Sequence, residues 1–236
     1  MKEVVRSFEG LHFALKAFSS RLTIFRGLKS IDYPLVTSLG RMKWFIEMPI
    51  ERQERIMFDK FKQRAIPVLE FEPHDDWDWL TLAQHHGLPT RLLDWTLNPL
   101  VAAYFAVEDD TFAGDSVIYA LTGLKRVDVR LQADPFSLQT ISRFIPRHVT
   151  RRLTAQAALF TAHPQPGTAF ENYEGLERII ISGSVRRELK VDLYRYGIHR
   201  ASLFPDLDGL CSHLKWLRED SGHDRSKSDD RTSKLE

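Results

Sequence analysis

The run Gln84-His85-His86-Gly87-Leu88-Pro89-Thr90-Arg91-Leu92-Leu93-Asp94-Trp95-Thr96 concentrates side chains that can do chemistry. It holds two imidazoles, a guanidinium, a carboxylate, an amide and two hydroxyls around a Gly/Pro turn. Imidazole and carboxylate can move protons, and arginine offers a rigid fork suited to phosphate. His85 and His86 are adjacent and point in different directions, which is poor geometry for one metal ion, so no metal is expected. A Walker-type phosphate loop, a three-glycine dinucleotide fingerprint and a zinc-protease helix motif are all missing from the sequence. Two readings stay open. The run floors a binding or catalytic site, or Arg91 and Asp94 form a buried ion pair while Gln84 or His85 satisfies backbone groups of the turn. Desolvating so many polar groups is costly unless something repays it, which favours a site for the cluster as a whole.

The elements around the run must position it. A helix from Asp76 or Trp77 to His85 ends on Gly87 as its C-terminal cap, and Pro89 prevents continuation. Thr90 to Trp95 is then extended and delivers Thr90, Arg91, Asp94 and Thr96. Asn98-Pro99 opens a nearly apolar helix to about Val107, with asparagine as N-cap and proline as the first helical residue. Upstream, residues 3 to 18 show helical spacing, and Leu22 to Phe25 reads as a strand ending at Arg26-Gly27, where glycine lets backbone or ligand approach closely. Arg41 and Lys43 flank Trp44 in a loop, and Glu47 to Ala65 is an amphipathic helix whose charges read as a solvated face. Glu70 to Asp76 reads as an acidic turn.

Downstream, Ser116 to Leu121 is a strand, Ser137 to Phe144 a short helix, and Ala155 to Ala162 and Glu177 to Ser182 are strands. Helices follow over Val185 to Tyr196, capped by Gly197, and Leu207 to about Leu217. Arg143, Arg147, His148, Arg151 and Arg152 gather around Pro146 as either a phosphate track or a solvated loop. The pattern predicts one α+β domain over 1–218, with a mixed or antiparallel sheet flanked by helices, and a disordered charged tail over 219–236.

Bulk properties set the bounds. The 236 residues are 43% hydrophobic and carry a net charge of +1, enough for one sizeable core and too neutral for a globally basic nucleic-acid binder. A single cysteine, Cys211, excludes an intrachain disulfide and points to a reducing cytoplasm. The N-terminus does not read as a signal peptide, and no window reads as a membrane span.

Four ordered motifs carry a resemblance. Phe25-Arg26-Gly27, the QHHGLPTRLLDWT run with NPLVAAYFA, Arg152 to Thr161, and Gly197-Ile198 followed by Ser202 to Gly209 resemble the FRG-domain family over about Leu22 to Leu214. More distantly, the order of elements is similar to ADP-ribosyltransferases of the Arg-Ser-Glu type, which implies a split sheet and NAD as substrate. That likeness gives Arg26 the role of holding NAD phosphates or ribose. It sets Asp94-Trp95-Thr96 where Ser-Thr-Ser stands, with only Thr96 keeping a hydroxyl. Glu177 or Gln156 takes the position of the glutamate that grips the ribose; if Gln156 does, Asp94 is the carboxylate that remains.

The resemblance therefore implies an NAD-dependent ADP-ribosyltransferase that modifies RNA, DNA or protein as a toxin or defence effector. Arg26, Glu177, Asp94 and Gln156 are the catalytic candidates. Arg26, Gly27, Gln84, His85, Thr90, Arg91 and Thr96 are the candidates for holding NAD. A nucleic-acid acceptor would lie on Arg143, Arg147, Arg151 and Arg152, and an antitoxin protein is a second candidate partner. The alternatives are a non-catalytic nucleotide- or nucleic-acid-binding module, and a nuclease-type hydrolase working through His85, His86 and Asp94. If the cleft is real, Arg26, Asp94 and either Glu177 or Gln156 converge on one pocket.

Overall fold

A computed structural model describes residues 4–43, 47–69, 72–147 and 150–232. Trp44, Glu70 and His148, which enter the sequence reading, lie outside the described residues, as do 1–3 and 233–236. In chain order the elements are α1 (Phe8–Lys16), β1 (Ile24–Leu28), α2 (Ile50–Ala65), α3 (Asp76–His85), β2 (Leu92–Thr96), α4 (Pro99–Val107), β3 (Ser116–Leu121) and β4 (Ser142–Phe144). They continue with α5 (Arg151–Ala155), β5 (Ala158–Ala162), β6 (Leu176–Ile181), α6 (Arg186–Arg195), α7 (Arg200–Leu203) and α8 (Leu207–Thr232). Among the described residues the six strands form one sheet in the order β4-β5-β2-β1-β3-β6, and the pairings between these strands are antiparallel. The fold is a single α+β domain.

Local chemistry explains where the central elements start and stop. The Asp75 side chain caps α3 by accepting from the Asp78 amide, and Gly87 follows the helix at φ 83°, a conformation that costs glycine little. Asn98 caps α4 by accepting from the Leu100 amide, with Pro99 in the first turn. The α4 helix lies directly on β1. A Cβ at Gly27 would meet the Ala102 carbonyl at 1.9 Å, so only glycine permits this approach. Around that contact Phe25, Ala102, Ala106, Ile118 and Ile181 form one buried cluster, joined by Leu11 of α1 and Leu189 of α6. On the other face Ile24, Leu93, Trp95, Val117, Tyr119, Leu159 and Phe170 pack together.

Several elements depart from the sequence pattern for identifiable reasons. Ser7 caps α1, which delays the helix to Phe8, and frees Val5 to bridge Ile181 at the sheet edge. The expected helix over Ser137–Phe144 is instead the short strand β4, because Phe144 packs at 4.5 Å on Trp77 and its backbone pairs with β5. The strand expected from Ala155 begins only at Ala158: Thr150 caps α5, and Ala157 turns the chain at φ 46°. An unexpected helix, α7, is started by a capping box between His199 and Ser202. The last helix continues past Glu219, where the charged tail was expected to begin; opposite charges at helical spacing, such as Lys215 and Glu219 at 3.8 Å, suit that continuation.

Arg91 has a structural role. It and Glu54 are 1% and 2% exposed, and the Arg91 Nη2 to Glu54 Oε2 distance is 2.6 Å. The Arg91 Nε and backbone amide also donate to Glu54. Its partner is therefore Glu54 of α2, and the sequence alternative of an Arg91–Asp94 pair is corrected. Burial pushes the Glu54 carboxyl up, opposed by its bonds to Arg91, so the pair fixes where α2 meets β2 more than it adds net stability. Glu54→Gln should cost about 3–5 kcal/mol in urea unfolding by leaving Arg91 uncompensated, while the double replacement Glu54→Leu with Arg91→Met should recover most of that loss. Equal stability of Glu54→Gln and wild type would contradict this.

Candidate functional site

Neighbouring strands β1 and β2 share the single registered pair Phe25–Thr96. By contrast β1 makes five pairs with β3, and β2 makes five with β5. The sheet parts beyond Phe25 and Thr96, and the parting opens a cleft of about 430 Å³. Its lining includes Arg26 and Gly27 from β1, Gln84 from α3, Asp94 and Thr96 from β2, and Arg152 and Gln156 from the α5 region. Lys29, Tyr33 and Phe105 complete the walls.

Arg26 spans the gap. Its Nη1 donates to the Asp94 backbone carbonyl at 2.5 Å and lies 3.5 Å from Asp94 Oδ2. The guanidinium thus takes a carbonyl that faces the gap, where a sheet would otherwise leave a backbone acceptor without a partner. Burial lowers the Arg26 pKa, the Asp94 charge opposes this and Arg41 adds to it; arginine stays cationic throughout. The Arg26 Nε is buried without a hydrogen-bond partner among the described residues.

Asp94 is held from the other side by Gln84, whose Nε2 lies 3.1 Å from both carboxylate oxygens. The Gln84 Oε1 accepts from the Thr90 hydroxyl at 2.6 Å, and that hydroxyl accepts from the Leu92 amide at 3.0 Å. Thr90 therefore sits behind Gln84 and fixes which end of the amide faces the carboxylate. The Asp94 side chain remains 55% exposed, open to the cleft. Thr96 donates to the Gln156 carbonyl at 2.6 Å and accepts from the Asn98 amide at 3.0 Å. Its hydroxyl thereby ties the start of α4 to the turn after α5. Gln156 Nε2 donates to the Leu203 carbonyl at 3.1 Å, anchoring α7. Gly27 lines the cleft, but the space of its missing Cβ belongs to α4.

Three sequence candidates lie elsewhere. Glu177 pairs with Ala120, which pairs with Phe25, so alternation puts Glu177 on the Phe25 face at the sheet edge, beside α1. It is two strands from β1 and outside the cleft. Arg91 is committed to Glu54. His85 is half-buried in an edge-on contact with His86, its pKa lowered by burial, and is not among the residues lining the cleft. The arginine group around Pro146 also divides: Arg152 reaches the cleft, Arg147 pairs with Asp75, the Arg143 Nη1 donates to the Leu22 carbonyl, and Arg151 is exposed.

Sequence reasoning missed Lys29 and Tyr33, which carry no motif of their own, and Phe105, which read only as part of an apolar helix. It also missed His163, the residue after β5, whose burial and contact with the Arg91 carbonyl depend on the pairing of β5 with β2. The Trp95 Nε1 donates to the Thr161 hydroxyl at 2.9 Å, and that hydroxyl lies 2.8 Å from His163 Nε2. The Thr161 hydroxyl and His163 Nε2 share this hydrogen bond in a direction set by the imidazole tautomer. Burial, then the charges of Arg26 and Arg91, lower the His163 pKa to about 4. The unfolded chain binds the proton near 6.5, so the unfolded state holds more protons between these values and stability rises with pH across that window. The span corresponds to roughly 3 kcal/mol, present above pH 6.5 and lost by about pH 4. Urea midpoints measured from pH 4 to 7 should climb accordingly, and His163→Gln should flatten that share of the climb. An identical slope in the variant would show that His163 titrates normally.

Neither the curated proteins nor the solved structures contain a match to this chain. A family model does match, over a stretch that runs from before β1 to just beyond α4 and so supplies Arg26, Gln84, Asp94 and Thr96. Residues 21–113 match the model of the FRG domain family.

Proposed function

We propose that the cleft between β1 and β2 binds NAD and transfers its ADP-ribose to a macromolecular acceptor, as a toxin or defence effector. The observation that carries this reading is the convergence of Arg26, Asp94 and Gln84 on one opening in the sheet. Arg26 and Arg152, both in the cleft lining, supply donors for the pyrophosphate. Phe105 and Tyr33 supply ring faces for a base or for nicotinamide.

The carboxylate of the reaction is Asp94 in this reading, since Glu177 faces another cavity. The bond between the ribose C1′ and the nicotinamide nitrogen breaks, nicotinamide leaves with the bonding pair as a neutral molecule, and positive charge develops on the ribose. A carboxylate fixed by Gln84 stabilises that charge. The acceptor's oxygen or nitrogen then bonds to C1′ and loses its proton. Gln84 acts through Asp94 and is a positioning residue.

Purified protein should release nicotinamide from NAD. Arg26→Ala should abolish release while keeping a cooperative thermal transition at a lowered midpoint, and Asp94→Asn should lower kcat by about a hundredfold with little change in KM. Full activity in Arg26→Ala would reject the reading. A non-catalytic nucleotide-binding module is the second reading, favoured by the engagement of the Asp94 carboxylate with both Arg26 and Gln84. It predicts calorimetric binding of NAD with no turnover even in cell lysate. An acid–base hydrolase would need His85 and His86 beside Asp94, and neither lines the cleft. Loss of nucleic acid without added NAD would support it nonetheless.

A further inference from the structure

A second cavity of about 280 Å³ lies where α4, α6, α7 and α8 meet. Its walls are aromatic rings in near-parallel array. His199 and His213 stack at 4.2 Å and 13°, and His213 and Trp216 at 6.0 Å and 21°. Tyr194 stands against all three, at 5.6, 5.5 and 5.7 Å. Burial lowers the pKa of both histidines, with His199 adding to the effect on His213, so they stack as neutral rings at pH 7. The histidines close on each other, while Tyr194 lines the cavity and is 37% exposed.

Polar groups in the same lining narrow the occupant. Arg200 Nη1 donates to Glu108 Oε1 at 2.5 Å, while the Arg200 Nε is buried without a partner among the described residues. Lys190 Nζ donates to the Glu108 carbonyl at 2.8 Å and to Asp110 at 3.1 Å, and sits 5.0 Å from the Trp216 ring centroid. Two cations already occupy this lining, which disfavours a cationic guest in the ring cage. The exposed Tyr194 ring offers a face to a flat heterocycle, and the Glu108 carboxylate can accept from an exocyclic amino group.

Ring contacts link the wall of this cavity to the wall of the central cleft. The Phe204 ring, 7% exposed, carries Arg200 at 3.8 Å and Arg152 at 4.5 Å from its centroid. Arg152 lines the central cleft, and Phe105, also in that lining, meets Phe204 edge-on at 6.1 Å. One buried ring thus seats two guanidinium groups, one belonging to each cavity. Stacked on a ring, a guanidinium keeps its N–H edge for phosphate.

We propose that this second cavity holds a base of a single-stranded nucleic acid, and that Arg200 and Arg152 carry its backbone toward the central cleft. The inference rests on the proposed transfer reaction only in making the nucleic acid its acceptor; the binding itself needs no NAD. Recognition is by stacking on Tyr194 and its neighbours, and amino-bearing bases are preferred through Glu108.

The test is fluorescence anisotropy of a short end-labelled oligoadenylate DNA with the full chain, without NAD. Oligoadenylate should bind more tightly than oligothymidylate, and Tyr194→Ala should weaken it about tenfold or more. Tyr194→Phe, which keeps the ring, should bind as wild type and controls for folding. Arg200→Ala and Arg152→Ala should each reduce the salt dependence by about one counterion. No binding by the wild type, or equal binding by Tyr194→Ala, would overturn the proposal, as would ADP-ribose found only on protein acceptors. Nicotinamide release with no oligonucleotide binding would overturn this inference alone. Binding lost in Tyr194→Ala with no nicotinamide release would support it while rejecting the transfer reaction.

Discussion

The contact between the Arg26 guanidinium and Asp94 is the constraint on which the site depends. Two strands that are each fully paired on their outer sides meet at one residue pair and then separate. An open seam in a sheet exposes backbone groups that need partners. Arg26 supplies one by reaching the Asp94 carbonyl, and its charge lies near the same residue's carboxylate. The seam stays open because a charged side chain, rather than a neighbouring strand, satisfies it.

The rest of the molecule braces that seam. Gly27 lets α4 press on β1 without a Cβ between them, and Thr96 ties the start of α4 to the turn after α5. Thr90 orients Gln84 and Gln84 orients the Asp94 carboxylate. Arg91, one residue from Thr90, is locked to Glu54 of α2 in the core. The polar richness of the central run is therefore divided by depth: Arg91 and Thr90 build the support, and Asp94 with Gln84 faces the opening. The cleft is also shared along the chain. The stretch matching the FRG domain provides Arg26 and Asp94, and the part beyond it provides Arg152 and Gln156.

What the sequence made legible was local. The caps at Asn98 and Gly87, the apolar α4 and the strand Ser116–Leu121 all follow from neighbours a few residues apart, and the structure has them where spacing put them. Long-range choices were not legible. Whether Glu177 or Asp94 joins Arg26 depends on strand order, since β3 stands between β1 and β6 while β2 neighbours β1. Glu54 looked like part of a solvated helix face, although its spacing with Phe58 on the buried side of α2 was a signal that a carboxylate there needs a buried cation. The β4 segment had helical spacing and became a strand because Trp77 and β5 offered Phe144 more than a helix could.

The most direct measurement is a crystal structure of the chain soaked with a non-cleavable NAD analogue. The account predicts density in the opening between β1 and β2, with pyrophosphate oxygens in hydrogen-bond reach of the Arg26 guanidinium and the nicotinamide-side ribose beside Asp94. Density at the sheet edge next to Glu177, or an intact Arg26–Asp94 contact with the analogue bound elsewhere, would contradict it.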